Sequence, residues 1–225
     1  MTAIVRRELS IPVDLPTGTV AVDVVAHEPS EPVATVIVAH GAGTRMDHPF
    51  LVGFADALAA EGVRAVRFNF AYSQLGRRMP GPAAHAIAAW QAVGDAAAGP
   101  APWFAAGRSY GGRMASMAAA EGRIAPSGLV YLGYPLHPPG KPDAPRIAHL
   151  PQITAPQLFL SGTRDPFVDP HAQLEQAVAS CQDATLEWVE GGGHGFEVAG
   201  RKRPAADIGA GLAALVLPWL RARTP

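Results

Sequence analysis

The sequence predicts an α/β fold in which one mostly parallel sheet of about seven strands carries helices on both faces. The main observation is that short apolar segments alternate with segments of helical spacing along the chain. Hydrophobic residues make up 48% of the 225 residues and charged residues 16%, which is typical of a chain with a large buried core. Because no repeat or long linker divides the chain, residues 1–225 are predicted to form a single domain.

Short apolar segments predict the strands. Ala34–Ala39 (ATVIVA) is continuously apolar, as expected of a strand that is buried on both faces of a parallel sheet. Thr19–Val25 alternates apolar and polar residues, which predicts an early strand. The other predicted strands are Val63–Phe70, Trp103–Ala106, Gly128–Leu132, Gln157–Leu160 and Leu186–Val189.

Segments of helical spacing lie between these strands. Pro49–Ala60 opens with a proline and stops before Gly62, which are typical start and stop signals of a helix. Small residues dominate two of the other segments. The remaining predicted helices are Ala83–Ala98, Gly111–Glu121, Pro170–Ser180 and Asp207–Arg223.

Residues that could take part in catalysis follow four of the predicted strands. In a parallel α/β sheet, active sites lie outside the carboxyl ends of the strands. A lone G-x-S-x-G pattern can arise by chance in a glycine-rich chain, so the surrounding sequence must show whether it marks a nucleophile. The four strand ends are followed by His40-Gly41-Ala42-Gly43, by Ser109 within Gly107–Gly111, by Asp165, and by His194. The order Ser, Asp, His along the chain is that of an α/β-hydrolase triad.

These residue types suit nucleophilic catalysis. A serine hydroxyl needs a base within hydrogen-bond reach, and a histidine titrates in the right range. The histidine needs an acid that fixes its tautomer. Asp169 is an alternative to Asp165, but Asp165 is closer to the strand end and precedes Pro166. The structural alternatives are a turn serine that caps a helix, a solvated loop histidine at 194, and an acid that caps the helix beginning near Pro170.

Backbone amides near Ser109 are predicted to bind an oxyanion. Gly107 and Gly111 permit a sharp turn from strand to helix, and the N-terminus of that helix favours negative charge. The Tyr110 N–H is predicted as one donor and the Ala42 N–H as the second. Gly41 and Gly43 leave the Ala42 amide uncovered.

Several arginines cluster at the predicted strand ends. The hypothesis is that one or two of them bind a carboxylate or phosphate of the substrate, with Arg108 and Arg78 as the first candidates. The alternative is that they are solvated or ion-paired. The set comprises Arg45, Arg77, Arg78, Arg108, Arg113 and Arg164.

The stretch Pro135–Pro151 holds too many prolines to form a helical lid. It is predicted to be an ordered loop at the rim of an open site that suits small substrates. Tyr134 and His137 are candidate pocket residues, the alternative being that they only pack the loop.

Composition argues against several other classes of protein. A net charge of −1 without a basic stripe argues against nucleic acid as a partner. Cys181 is the only cysteine, which fits a reducing compartment. No apolar run approaches the roughly 18 residues of a membrane span, and MTAIVRRELSIPV lacks a signal-peptide core, so a cytoplasmic protein is expected. The sequence leaves monomer and homodimer open.

No metal or organic cofactor is predicted. His40, Asp47 and His48 match no common ligand spacing, and no cysteine supports them. His40 is instead predicted to orient the turn that carries Ala42.

Four longer segments carry a resemblance to a known family: FNFAYSQLGRR (68–78), GRSYGGRMAS (107–116), YLGYPLHPPGKP (131–142) and GTRDPF (162–167). The chain from Val33 onward resembles the α/β-hydrolase superfamily, and most closely its dienelactone-hydrolase-like branch. The four segments resemble the family that includes testis-expressed protein thirty and the related domain of an NSL-complex subunit. The resemblance implies that Ser109, Asp165 and His194 act as nucleophile, acid and base. Dienelactone hydrolases proper use a cysteine nucleophile, so their substrate is not carried over.

The expected function is therefore hydrolysis of a small carboxylic ester or thioester through an acyl-enzyme on Ser109. Two alternatives stay open. One is an interaction module that uses the same fold without catalysis. The other is an acyltransferase that uses the same three residues.

Overall fold

The computed structural model describes residues 4–224. Within them the sheet has eight strands, of which β3 to β8 are parallel. The strand order is β1-β2-β4-β3-β5-β6-β7-β8, and β1 and β2 join antiparallel at one edge. This confirms the predicted α/β-hydrolase fold. The strands are β1 (Val5–Leu15), β2 (Gly18–Glu28), β3 (Ala34–Ala39), β4 (Val63–Phe68), β5 (Trp103–Arg108), β6 (Gly128–Leu132), β7 (Gln157–Gly162) and β8 (Ala184–Val189).

The prediction of about seven strands missed β1. This strand forms a hairpin with β2 in which Val5 pairs with Glu28 and Leu15 with Gly18. Most of its side chains are exposed because it lies at the sheet edge, and only Ile11 and Val13 are buried. A strand with so few buried positions lacks the apolar pattern by which the other strands were found.

Helices cover both faces of the sheet. One face carries α1 and α6, which pack on each other and on an apolar cluster containing Phe50, Phe54 and Phe104. The other face carries α3, α4 and α5 around Trp90 and Tyr131. The bounds of the helices are α1 (Pro49–Ala60), α2 (Ala71–Gln74), α3 (Ala83–Ala97), α4 (Tyr110–Ala120), α5 (His171–Ala179) and α6 (Ala205–Arg221).

The short helix α2 was not predicted. The sequence predicts a strand to Phe70, but β4 ends at Phe68 and the chain turns into α2 two residues later. The segment is apolar because Phe70, Ala71 and Tyr72 are buried, and not because it continues the strand.

The connection between β6 and β7 contains no helical lid. Within residues 133–156 the one regular element is a 3₁₀ turn at Leu150–Gln152. This agrees with the prediction from its prolines. None of the helices within residues 4–224 combines the length and apolarity that a membrane crossing requires.

Candidate active site

Ser109 occupies the one-residue turn between β5 and α4. Its backbone has φ 50° and ψ −113°, a conformation that residues other than glycine rarely adopt. The two flanking glycines make the turn possible. A methyl group added at Gly107 would lie 2.2 Å from the Gly112 nitrogen, and one at Gly111 would lie 2.6 Å from the His40 oxygen. The glycines of G-x-S-x-G are therefore required by close backbone contact.

Gly111→Ala is expected to lower the free energy of unfolding by about 2 kcal/mol or more, because the added methyl group has no space between α4 and the end of β3. Gly211→Ala is the matched control, since Gly211 also lies within a helix and an added methyl group would meet only the end of the Arg203 side chain, at an ordinary contact distance of 3.6 Å. That substitution is expected to be neutral or slightly stabilising. Urea denaturation of both variants measures the difference, and equal effects would contradict the close-contact explanation.

Ser109, His194 and Asp165 form one continuous hydrogen-bonded relay. His194 Nε2 lies 2.8 Å from Ser109 Oγ, and His194 Nδ1 lies 2.8 Å from Asp165 Oδ2. The second carboxylate oxygen, Oδ1, accepts a hydrogen bond from the Phe167 N–H at 2.8 Å. Because an ionised carboxylate only accepts, Nδ1 of His194 carries the proton and Nε2 is free to accept the serine proton.

The structure brings Asp165, and not Asp169, to His194. Asp165 is buried at the end of β7, whereas Asp169 is exposed in the loop before α5. The ring of Phe167 stacks on His194 at 4.1 Å between centroids and covers one face of the imidazole. His194 is therefore held by its hydrogen bond to Asp165 and by the stacked ring of Phe167.

Glycines also bring the β7 and β8 ends together. A methyl group added at Gly162 would lie 2.1 Å from the Gly192 oxygen. The Gly192 carbonyl accepts a hydrogen bond from Arg164 N–H at 2.9 Å. The loop that carries His194 therefore packs directly on the strand that carries Asp165.

The turn Gly41–Gly43 lies against Ser109. A methyl group added at Gly41 would lie 3.8 Å from the Ser109 Cβ, and Gly43 has φ 74°, which favours glycine. Neither the Ala42 nor the Tyr110 backbone N–H donates to a protein acceptor among residues 4–224. Both predicted oxyanion donors are therefore unpaired beside Ser109.

His40 holds this turn through hydrogen bonds at both of its ring nitrogens. Its Nδ1–H donates to the Gly41 carbonyl at 2.8 Å, and its Nε2 accepts the Phe70 N–H at 3.1 Å. Burial lowers the pKa of His40 to about 4. Both ring nitrogens are used in the neutral form, so neither is available to a metal. Within residues 4–224, no three His, Cys, Asp or Glu side chains come together as a metal site would require.

Stability is expected to fall as the pH falls from 6.5 toward 4. The pKa of His40 in the folded protein lies below its ordinary value of 6.5, so the unfolded chain takes up a proton that the folded protein does not. At 1.36 kcal/mol for each pKa unit, His40 alone removes about 3 kcal/mol by pH 4. Burial, with the charge of Arg113, lowers the pKa of His149 to about 4 and acts in the same direction.

Urea unfolding between pH 7.5 and 4.5 measures this loss. His40→Gln is expected to show a shallower pH dependence, while His85→Gln, at a partly exposed position of α3, keeps the wild-type slope. An unchanged slope in His40→Gln would show that other groups cause the acid sensitivity.

Polar residues at the end of β4 and in α2 support the turn, and the sequence did not single them out. Asn69 Oδ1 accepts the Met46 N–H at 3.0 Å, and the buried Arg67 donates to the Met46 carbonyl. Ser73 Oγ donates to the Thr44 carbonyl at 3.2 Å. Most of them lie within FNFAYSQLGRR, but nothing in the spacing of that segment indicates which loop they contact.

The remaining predicted site residues are less directly placed. Arg108 lies over the Phe50 ring, with 4.8 Å between the guanidinium carbon and the ring centroid, on the α1 side of Ser109. Burial lowers the pKa of Arg108, and the negative charge of Glu197 opposes this shift only in part. Arg78 is exposed, and its carbonyl lies 4.0 Å from a methyl group added at Gly43. A substrate contact by Arg108 or Arg78 stays a prediction.

Tyr134 and His137 are buried in the loop that follows β6. The Tyr134 hydroxyl donates to the Arg146 carbonyl at 2.8 Å, and His137 Nδ1 lies 2.9 Å from the Pro138 carbonyl. Their exposed fractions are 1% and 0%. This placement favours the alternative that they pack the loop.

The sequence profile of the alpha/beta hydrolase domain family matches residues 32–208, and the chain belongs to this family. The fold is similar to an alpha-beta serine hydrolase homologue from Coxiella burnetii, with a TM-score of 0.71 and 19% identity over 94% of this chain and 97% of that one. It is also similar to a serine hydrolase without a lid from Xanthomonas campestris, with a TM-score of 0.70 and 24% identity over 95% of each chain.

A third similar structure is the dienelactone hydrolase from Anabaena variabilis, with a TM-score of 0.67 and 21% identity over 98% of this chain and 99% of that one. At these identities the similarity concerns the fold. The narrower resemblance, to the family of testis-expressed protein thirty, stays a prediction.

Proposed function

We propose that the protein is a serine hydrolase that cleaves small carboxylic esters or thioesters through an acyl-enzyme on Ser109. The observation that carries the proposal is the relay of two 2.8 Å contacts from Ser109 through His194 to the buried Asp165. A serine needs such a base to become a nucleophile at neutral pH, and the base needs such an acid to hold its tautomer.

In the proposed mechanism each residue has its own step. His194 Nε2 takes the proton of Ser109 as Oγ attacks the acyl carbon, and the carbonyl electrons move to the oxygen. The N–H groups of Ala42 and Tyr110 stabilise that oxyanion. The oxyanion then re-forms the carbonyl, the bond between the acyl carbon and the leaving oxygen or sulfur breaks, and His194 protonates the leaving alcohol or thiol. Water attacks the acyl-enzyme with His194 again as base, which releases the acid and restores Ser109.

The open site supports a small substrate. Ala42 is exposed, and the loop between β6 and β7 carries no helix that would cover Ser109. A helical lid would exclude water and enclose a long acyl group. The connection between β6 and β7 provides no such lid. The structure from Xanthomonas campestris is likewise described as a serine hydrolase without a lid.

A panel of p-nitrophenyl esters from acetate to octanoate, with matched thioesters, tests the proposal. Turnover is expected to be highest for the short acyl chains. Added alcohol or thiol acceptors distinguish hydrolysis from acyl transfer, because transfer would yield a new ester or thioester in place of free acid. The absence of turnover on every ester and thioester would contradict the proposed function.

A further inference from the structure

Two arginines belong to elements on the face of the sheet that carries α4: Arg113 lies in α4 itself, and Arg146 lies in the loop between β6 and β7, which packs on that helix. Arg113 follows Ser109 by about one helical turn, and its backbone N–H donates to the Ser109 carbonyl at 3.1 Å. Side chains on an α-helix lean toward its N-terminus. The Arg113 side chain therefore leans toward the turn that holds Ser109.

A buried polar network joins Arg113 to Arg146. Ser116 Oγ lies 2.8 Å from the Arg113 carbonyl and 2.7 Å from His149 Nε2. The Tyr134 hydroxyl lies 3.5 Å from the same His149 nitrogen and donates to the Arg146 carbonyl at 2.8 Å. These contacts fasten the loop that carries Arg146 onto α4, the helix that carries Arg113.

Arg113 and Arg146 are not ion-paired within the part of the chain that the structure describes. Among residues 4–224, neither guanidinium forms an ion pair within 4.0 Å or donates a hydrogen bond, and Arg113 Nε is buried without a partner. Both side chains are partly buried, and desolvation followed by the charge of Arg113 lowers the pKa of Arg146. Partly buried like charges disfavour each other unless an anion binds between them.

We propose that Arg113 and Arg146 form a subsite that binds an anionic group, a carboxylate or a phosphate, on the substrate. The inference rests on the proposed function, because it names the class of ester or thioester that the same site takes. The planar guanidinium matches the geometry of both anions and binds them through paired hydrogen bonds. Arg113 leans toward the serine turn, so the anion would lie within a short chain length of the scissile carbonyl.

Binding is tested on the whole protein without any turnover. Thermal unfolding is measured with 10 mM succinate or 10 mM phosphate at constant ionic strength, with chloride as the reference. At least one of the two is expected to raise the Tm by a few degrees, as a Kd of about 1 mM would give. Which anion does so distinguishes a carboxylate subsite from a phosphate subsite.

Substitutions of the two arginines test whether the anion binds at Arg113 and Arg146. Arg113→Gln and Arg146→Gln are each expected to weaken the binding at least about tenfold, and Arg113→Lys less so because it keeps the charge. Arg123→Gln is the matched control, since Arg123 is exposed beyond the other end of α4. The proposal is wrong if neither anion raises the Tm, or if the rise survives both glutamine substitutions.

Competition connects the subsite to the substrate. The anion that binds is expected to inhibit hydrolysis of neutral p-nitrophenyl butyrate competitively, raising KM about tenfold at 10 mM without changing kcat. Stabilisation without competition would place the anion outside the substrate site and overturn the proposal. If no ester is hydrolysed at all, the proposed function fails, while the thermal measurement still decides whether the arginines bind an anion.

Discussion

Ser109→Ala is expected to lower kcat by about 10⁴-fold to 10⁶-fold, because it removes the hydroxyl that is proposed to form the acyl-enzyme. Alanine removes the hydroxyl that lies 2.8 Å from His194 Nε2 and leaves the turn between β5 and α4 unchanged. The free energy of unfolding is therefore expected to change little. Initial rates on the best short-chain ester, measured alongside the Tm, separate a chemical loss from a folding defect.

Ser127→Ala is the matched control for this substitution. Ser127 is exposed just before β6, away from the relay. It is expected to keep wild-type kcat within about twofold, as surface substitutions change little. Retention of more than a tenth of the wild-type kcat in Ser109→Ala would mean that another residue is the nucleophile.

Asp165→Asn is expected to lower kcat by about 10⁴-fold with little change in KM. The reason is the tautomer of His194. A carboxylate accepts the Nδ1–H at 2.8 Å, whereas a neutral amide can turn its NH₂ group toward Nδ1 and leave the proton on Nε2. A protonated Nε2 cannot take the proton of Ser109.

Asp169→Asn tests the same substitution at the alternative acid. Asp169 is exposed and does not contact His194, so this variant is expected to keep the wild-type rate within about twofold. Steady-state kinetics of the two variants on one ester decide between the acids. Equal losses, or a larger loss in Asp169→Asn, would contradict the assignment of Asp165.

Much of the fold was predictable because buried strands carry a regular signal. A parallel strand covered on both faces must be apolar throughout, which identified β3, whose residues are all buried. The exposed edge strand β1 obeys no such requirement, and α2 is too short to show a helical period. Both were missed for this physical reason.

The relay residues were also predictable, since a parallel sheet brings the ends of its strands to one edge. Position along the chain separated Asp165 from Asp169, and the structure places Asp165 against His194. The support beneath the Gly41–Gly43 turn was not predictable. It depends on Arg67 and Asn69, polar residues that reach across to Met46 from a different strand end.

The arginines illustrate the same limit. Arg108 and Arg78 were favoured because they belong to a cluster of arginines at predicted strand ends, and Arg108 also adjoins Ser109 in the sequence. Arg113 and Arg146 are 33 positions apart in the chain. The proline-rich loop that carries Arg146 is fastened onto α4, the helix that carries Arg113, through Ser116, His149 and Tyr134. No local pattern encodes that contact.

Covalent labelling with a fluorophosphonate, followed by intact-mass and peptide analysis, tests the assignment of Ser109 most directly. The folded protein is expected to take up one probe per chain, on the peptide that contains Ser109, and to lose the labelling in Ser109→Ala. The Asp165→Asn variant is expected to label far more slowly than Asp169→Asn. A folded protein that stays unlabelled, or that is labelled at another residue, would show that Ser109 is not an activated nucleophile.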